Sequence, residues 1–518
     1  MKPRPLLTWA ALSGIVSGAA GTAIAEALAL VIAPASSPII ATGSLMIDLA
    51  PAWAKDVSIA VFGTNDKIFL LTLLAAVLVA AAVAAGILQV RSTPWGVVIF
   101  GVLGAVATVA ATTREQSDPW WAIPAVVGTL GAAFTLLRIG RLLTHWQADA
   151  RPANTGQRQP GVASRRSFFV VLASTAVGAA VIGAGSRAIN AGSLAVDAAR
   201  KAIKLPRPAA PAPPIPEGAA LDVAGITPLI TPNRDFYRID TALQIPSIAP
   251  DDWSLRVTGM VDNPLTLTFS ELLELPLTER NITLMCVSNE VGGDLTGNAT
   301  WLGYPIRELL RRAQPRAGAD MVLSRSIDGF TAGTPLEVLE QEDRDCLLAV
   351  GMNGVPLPPE HGSPVRIVVP GLYGYVSATK WVVELEVTTF ARSNAYWTNR
   401  GWAEKGPVKV SSRIDVPTGR KTLAVGTIAV AGIAWAQHTG IRSVEIRIDG
   451  GEWMPARLAD PISADTWVQW VFEWDAPRGA HTIEARATDA EGTVQSGDDV
   501  PVVPDGAEGW HKIRVDVA

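Results

Sequence analysis

The chain has 518 residues, 49% of them hydrophobic and 18% charged, with a formal net charge of −5. A mean hydropathy of +0.27 is high for a protein that lives wholly in water. The acidic balance, with no cluster of Lys and Arg to neutralise phosphates, excludes nucleic acid as a partner, and the length predicts about three domains.

The apolar excess lies in the first 185 residues. Five runs, Leu6–Ala33, Ile68–Val90, Trp95–Ala111, Trp120–Leu137 and Phe168–Gly185, each approach the ~17–25 residues that cross a bilayer. They predict a five-span helical membrane domain over residues 1–185, with the lipid bilayer as a partner. Lys2 and Arg4 precede the first run and Arg91 follows the second. Arg138, Arg141, Arg151, Arg158, Arg165 and Arg166 crowd the segment before the fifth, whereas 34–67 and 112–119 carry few positive residues. The positive-inside rule then sets the N-terminus in the cytoplasm, and an odd number of spans carries everything after the fifth to the outside.

The fifth run opens ASRRSFFVVLASTAVGAAVIGAG. A paired arginine before an Ala- and Gly-rich run of moderate hydropathy resembles a twin-arginine export signal, which carries folded cargo. A chain has reason to fold before export when it must first collect a cofactor made in the cytoplasm. The alternative is two ordinary arginines obeying the positive-inside rule. Residues 186–220 follow, and their Pro-rich stretch RKAIKLPRPAAPAPPIPEGAA reads as a semi-extended linker.

From about residue 221 the pattern changes to short strand-like runs (WSLRVTGMV, LTLTF, PVRIVVP, KWVVELEV) mixed with helical pieces (SELLELP, WLGYPIRELLRRA), which predicts an α+β domain to residue 412. Over 413–518 the runs are almost all strand, with turn signals between them, as in an immunoglobulin-like β-sandwich. Within the α+β part, NITLMCVSNEVGG places Cys286, one of two cysteines, at the end of a β-like run. Residue type alone leaves it a metal ligand, a nucleophile, half of a disulfide or a small buried side chain. Cys346, in DRDCLLAV, reads as a core residue.

Three segments in one order resolve these options by resemblance. ITLMCVSNEVGGDLTGNATWLGYPIRELL resembles the cysteine segment of the sulfite oxidase family of molybdenum enzymes. LLAVGMNGVPLPPEHGSPVRIVVPGLYGYVSATKWV resembles its pterin-binding stretch, and the final strands resemble its immunoglobulin-like dimerisation domain. The similarity runs from roughly residue 219 to the C-terminus, and membrane-anchored oxidoreductases of this family share the layout. It implies a molybdopterin cofactor whose metal takes one protein thiolate, here Cys286, a soft donor suited to a soft centre.

The resemblance further implies that His361, Arg366, Ser377, Thr379 and Lys380 hold the pterin and its phosphate, with Asp328 beside them. NRDFYRIDT stands where the family has an Arg-containing loop, so Asn233, Phe236, Tyr237 and Arg238 join the cofactor-binding set, and Arg238 stands nearest an anionic substrate as a catalytic residue with Cys286. Where sulfite oxidases read LAYEMNG this chain reads LAVGMNG, so Val350 replaces the active-site tyrosine and sulfite is in doubt as substrate. None of the five histidines lies inside a span, and two cysteines cannot build an iron–sulfur centre. Neither haem nor an iron–sulfur cluster is therefore expected, and electrons pass to a separate carrier.

The expected protein is a membrane-anchored, extracytoplasmic oxidoreductase that moves an oxygen atom to or from a small substrate, with a possible homodimer through the C-terminal domain. The competing reading is a cofactor-free surface binding module built on a degenerate enzyme domain.

Overall fold

The computed structural model describes residues 3–33, 36–50, 66–114, 117–149, 161–188, 191–419 and 422–518. The chain divides into two compact units, one of Met1–Ala195 with Thr241–Gln244, the other of Val196–Asp240 with Ile245–Ala518.

The first unit is helical: α1 (Pro3–Ile32), α2 (Pro38–Leu49), α3 (Asp66–Arg91), α4 (Trp95–Thr112), α5 (Ala122–Asp149) and α6 (Gly161–Ala188). Among the described residues four helices are long and apolar enough to cross a membrane, over Leu6–Ile32, Phe69–Arg91, Trp95–Thr112 and Pro119–Gln147. The expected fifth span, Phe168–Gly185, falls inside α6. The segment between the first two runs holds a further helix, α2, whose N-terminus is capped by Ser37 accepting from the Ile40 amide at 3.2 Å. Small residues let the helices touch. A Cβ at Gly21 would stand 2.5 Å from the Gly128 carbonyl, and one at Gly14 would run into that of Ala82, the close approach on which packing without a hydrophobic driving force depends. Lys2, Arg151 and Arg158 of the charge argument lie outside the described residues.

The second unit begins where the chain becomes Pro-rich. That segment is not free of the domain it precedes: Ala209 donates to the Leu277 carbonyl at 2.8 Å, Glu279 to that of Ala210 at 2.9 Å, and Leu205 packs on the main core. Ten strands follow: β1 (Ser254–Gly259), β2 (Leu265–Thr268), β3 (Thr278–Met285), β4 (Thr296–Pro305), β5 (Met321–Ser326), β6 (Thr331–Pro335), β7 (Leu347–Met352), β8 (Val355–Pro356), β9 (Arg366–Val368) and β10 (Val382–Thr388). One sheet has the order β2-β1-β10-β5-β6; the other runs β3-β4-β7-β8, with β9 also on β7. Of the helical pieces read from sequence, SELLELP is present as Phe269–Glu274, opened by a Thr268/Glu271 capping box, whereas WLGYPIRELLRRA is helical only over Ile306–Ala313, because Trp301–Pro305 complete β4.

The second of these sheets separates two cores, and the period of two along a strand decides which residue enters which. Ile282 and Leu284 of β3, Ala299 and Trp301 of β4, Leu347 and Ala349 of β7 and Val368 of β9 form a small core with Phe236, while Leu302, Tyr304, Leu348, Val350 and Ile367 enter the large one. A register shift of β4 against β7, between Leu302/Gly351 and Gly303/Ala349, leaves Val350 without a direct partner.

From Ser411 onward the regular elements among the described residues are all strands. Two antiparallel four-stranded sheets, β11 (Ser411–Val416), β12 (Gly426–Trp435), β16 (Val468–Ala476) and β15 (Arg457–Leu458) in one, and β14 (Met454–Pro455), β13 (Ile441–Ile448), β17 (Gly479–Asp489) and β18 (His511–Val517) in the other, share a core that includes Val430, Ile446, Trp470, Ile483 and Val515. Ile433, Trp435 and Trp467 pack instead into the large core of the preceding domain.

Candidate active site

Cys286 follows β3 directly, and continuing the parity of Ile282 and Leu284 turns it toward the small core. Its amide donates to the Leu295 carbonyl at 2.9 Å, and its carbonyl accepts from the Asn289 amide at 3.1 Å, which fixes a tight loop around the thiol. The thiol is free and buried, as is that of Cys346. Burial pushes the Cys286 pKa up, opposed by hydrogen bonds from the Ser288 backbone and side chain and by the charge of Lys380. Cys346 is fully enclosed in the large core, its burial pushing its pKa up to about 12.

Arg366 opens β9, two residues before Val368, and so stands on the same face. Its guanidinium lies over the Trp301 ring, 5.0 Å from the centroid. Only 3% of it is exposed, and among the described residues it donates to backbone carbonyls alone, those of Ile367, His361 and Ala378 at 3.3–3.4 Å. A charge buried with no counter-ion is unfavourable until an anion arrives. Burial accordingly lowers its pKa to about 10.

His361, in HGSPVR, contributes a second unfilled position. Its Nε2 meets the Asn233 carbonyl at 2.8 Å, which assigns the ring proton to that nitrogen, while the buried Nδ1 has no partner among the described residues. Lys380 donates to Asp240 Oδ2 and to the Glu360 carbonyl, both at 3.0 Å, and burial brings its pKa down to about 8 against the pull of Asp240. Asp240 also receives Arg238 Nε at 2.9 Å. Arg238 therefore lies in the cluster with its charge already shared. Asp328 is held uncharged more readily than usual, by burial first and by the nearby charge of Asp240.

The loop carrying Asn233, Phe236 and Tyr237 is tied down by Asn353. Asn353–Gly354 forms the turn from β7 to β8, with φ of 51° and 77° as an Asn-Gly hairpin turn requires. The Asn353 side chain accepts from the Thr300 amide at 2.9 Å and donates to the Thr231 carbonyl at 2.9 Å and to Asn233 Oδ1 at 2.7 Å. Phe236 then packs edge-on against Trp301 and His361 and stacks on Tyr237, which leans on the small core. Burial raises the Tyr237 pKa, as does the Cys286 thiol, while Arg366 opposes them.

The structure thus gathers Cys286, Tyr237, His361, Arg366 and Lys380, with Asn233, Phe236, Arg238 and Asp328 around them. Two expected side chains point elsewhere. The Ser377 hydroxyl donates to the Tyr373 carbonyl at 2.9 Å, and that of Thr379 meets Ser324 Oγ at 2.7 Å, both fully buried; a ligand here would find backbone, not hydroxyls. Val350 is 1% exposed in the large core, so its side chain does not enter the cluster around Arg366 and His361. Sequence reasoning missed Asp240, Trp301 and Asn353; the only advance signal was the Asn-Gly pair of GMNGV. A separate cavity of about 290 Å³, bordered by Asn289, Glu290, Lys409, Trp435 and Glu508, lies behind the cysteine loop and is lined by none of the cationic cluster.

Among the described residues no three of His, Cys, Asp and Glu are close enough to cage a metal. A metal bound through Cys286 must bring its other ligands with it. A pterin dithiolene with a phosphate tail fits: it offers an anion to Arg366 and Lys380 and polar ring atoms to the vacant His361 Nδ1.

Residues 242–397 match the family model described as oxidoreductase molybdopterin binding domain. The chain is similar to the mitochondrial sulfite oxidase of Homo sapiens, 28% identical over 342 residues, which cover 56% of this chain and 62% of the relative. It is also similar to the sulfite oxidase of Arabidopsis thaliana, 26% identical over 328 residues, covering 52% of this chain and 83% of that one. Among solved structures the sulfane dehydrogenase SoxCD from Paracoccus pantotrophus shares the fold, with a TM-score of 0.50 at 23% identity, covering 56% of this chain and 82% of that one.

Proposed function

From the premise that the chain carries a molybdopterin-binding oxidoreductase domain of the sulfite oxidase family, we propose that it is a membrane-anchored, extracytoplasmic enzyme that transfers an oxygen atom to or from a small substrate. The observation that carries the proposal is a set of groups gathered beside β3 and β9: a free thiol at Cys286, a buried guanidinium at Arg366 with no counter-ion among the described residues, and a buried His361 Nδ1 with no partner among them. A degenerate site has no reason to retain an uncompensated charge beside a thiol.

Two-electron oxygen-atom chemistry is what a molybdenum–pterin group supplies when bound. This chain's residues do the rest. Cys286 would provide the protein thiolate. Arg366 and Lys380 would neutralise the phosphate tail, His361 would accept a hydrogen bond at Nδ1, and Asn233 and Phe236 would hold the loop on one side. Arg238 orients an incoming oxyanion from the cluster's rim, where 35% of its side chain is exposed.

The positive-inside pattern supports a cytoplasmic N-terminus and, with α6 as the fifth span, an outer location for the second unit. The paired arginines support export after cofactor loading. An immunoglobulin-like assignment of the C-terminal sheets supports a homodimer through that domain, and a separate carrier takes or gives the electrons. Steady-state assays of the full chain in detergent, with sulfite and with S- and N-oxides, each with an artificial mediator, test the activity. Turnover of one class is expected; a molybdenum-loaded protein inactive on all of them would refute oxygen-atom transfer.

A further inference from the structure

Resting on the molybdopterin reading above, we propose that Tyr237 is a substrate-contacting residue whose phenol, beside Cys286 and Arg366, donates a hydrogen bond to the oxygen of a small S- or N-oxide or oxyanion. Val350 belongs to the large core. Tyr237 leans on the small core, whose Trp301 carries the Arg366 guanidinium over its ring.

Geometry brings the phenol toward the cysteine loop. Tyr237 Oη lies 3.8 Å from the point where a Cβ on Gly374 would stand, and the Met285 carbonyl lies 3.7 Å from the same point. The hydroxyl and the end of β3, one residue from Cys286, therefore line the same space. The stack on Phe236, with centroids 5.2 Å apart and planes at 21°, holds the ring in that direction, and the hydroxyl has no hydrogen-bond partner among the described residues. A phenol is ordinarily protonated at neutral pH, so the hydroxyl acts as a donor. Gly374 has an ordinary helical backbone; what its missing side chain provides is room beside the hydroxyl.

The full chain in detergent, cofactor-loaded, tests this with Tyr237→Phe. Sulfite and dimethyl sulfoxide serve as probes, molybdenum and pterin are counted per chain, and the Mo(V) electron paramagnetic resonance spectrum is recorded in H2O and in D2O. The expected result is unchanged cofactor content, a fall in kcat on the order of 10²–10³-fold, the usual effect of removing one positioned donor, and a changed coupling to exchangeable protons. A variant that holds its metal and retains kcat and spectrum overturns the proposal, as does a loss of rate that merely follows a loss of cofactor. Gly374→Val provides the second test: KM should rise more for a bulky sulfoxide than for dimethyl sulfoxide, and equal KM values overturn the proposal. Absence of molybdenum from the wild-type chain would overturn both this inference and the reading beneath it, which separates the two failures.

Discussion

The indole N–H of Trp435 donates to Sδ of Met285 at 2.9 Å, so a side chain of the C-terminal domain grips the residue immediately before Cys286. Trp467 and Gln437 extend this grip along the same strand: the Trp467 amide donates to Thr283 Oγ1, and Gln437 Nε2 to the Thr283 carbonyl, each at 2.9 Å. The C-terminal domain thus supports the cysteine strand from its far face. Trp435→Ala removes a large side chain that is 2% exposed and should destabilise the second unit by about 3–5 kcal/mol. Thermal unfolding of the full chain should show the loss, and molybdenum retention should fall although Trp435 does not line the site.

Arg366→Met should split stability from cofactor binding. It exchanges a buried, uncompensated charge for an apolar chain of similar length, so the cofactor-free protein should unfold at an equal or higher temperature, while pterin content should drop at least tenfold. Parallel losses of both would mean that Arg366 has a structural role instead.

Acid should weaken the cofactor-free protein through its buried histidines. His361 has a folded pKa pushed down to about 4 by burial, and His511 is lowered in the same way, its Nδ1 accepting from the Ile414 amide at 2.9 Å. Above the ordinary value of about 6.5 both are neutral in folded and unfolded chains, and the histidines impose no penalty. As pH falls below it the unfolded chain takes protons first, and stability is lost progressively toward the folded pKa, on the order of 3 kcal/mol for His361. Melting temperature should decline between pH 6.5 and 4, and His361→Gln should flatten part of that decline; an unaltered slope would contradict the assignment.

Arg165 lies over the rings of Trp146 and Phe169, 5.7 Å and 5.9 Å from their centroids, and Phe168 is fully buried beside them. Changing Arg165 and Arg166 together to Lys keeps the charge. If the pair is an export signal, the second unit should lose accessibility to external protease while the first four spans still insert; unchanged accessibility would make the pair an ordinary topology signal.

Much of this was legible in the residues. The strand leading to Cys286, the helix in SELLELP and the strand-rich C-terminal part follow from periodicity, whereas a helix running back through WLGYP does not form, and HGSPVR brought His361 and Arg366 into the site. The face that position 350 takes follows the alternation of Leu348 and Val350 along β7, but an unbroken apolar run does not say which of its two faces meets the site. The inward turn of the two hydroxyls was equally hidden: Ser377 bonds back to the Tyr373 carbonyl four residues earlier, and Thr379 meets Ser324 from a distant strand. The segment at 200–216 reads as a tether by its prolines, yet proline does not prevent the Ala209 amide and the Ala210 carbonyl from bonding along β3 and its approach.

The proposed enzyme requires Cys286 as the protein ligand to molybdenum. X-ray absorption at the molybdenum edge on the purified full chain, on Cys286→Ser and on Cys346→Ser, tests it most directly. Cys346→Ser keeps a hydrogen-bond acceptor at the Val338 carbonyl and should match the wild type in metal content and sulfur coordination. Cys286→Ser should show one fewer sulfur ligand on whatever molybdenum it retains, with activity abolished. An unchanged sulfur shell in Cys286→Ser, or no molybdenum in the wild-type protein at all, would contradict the account.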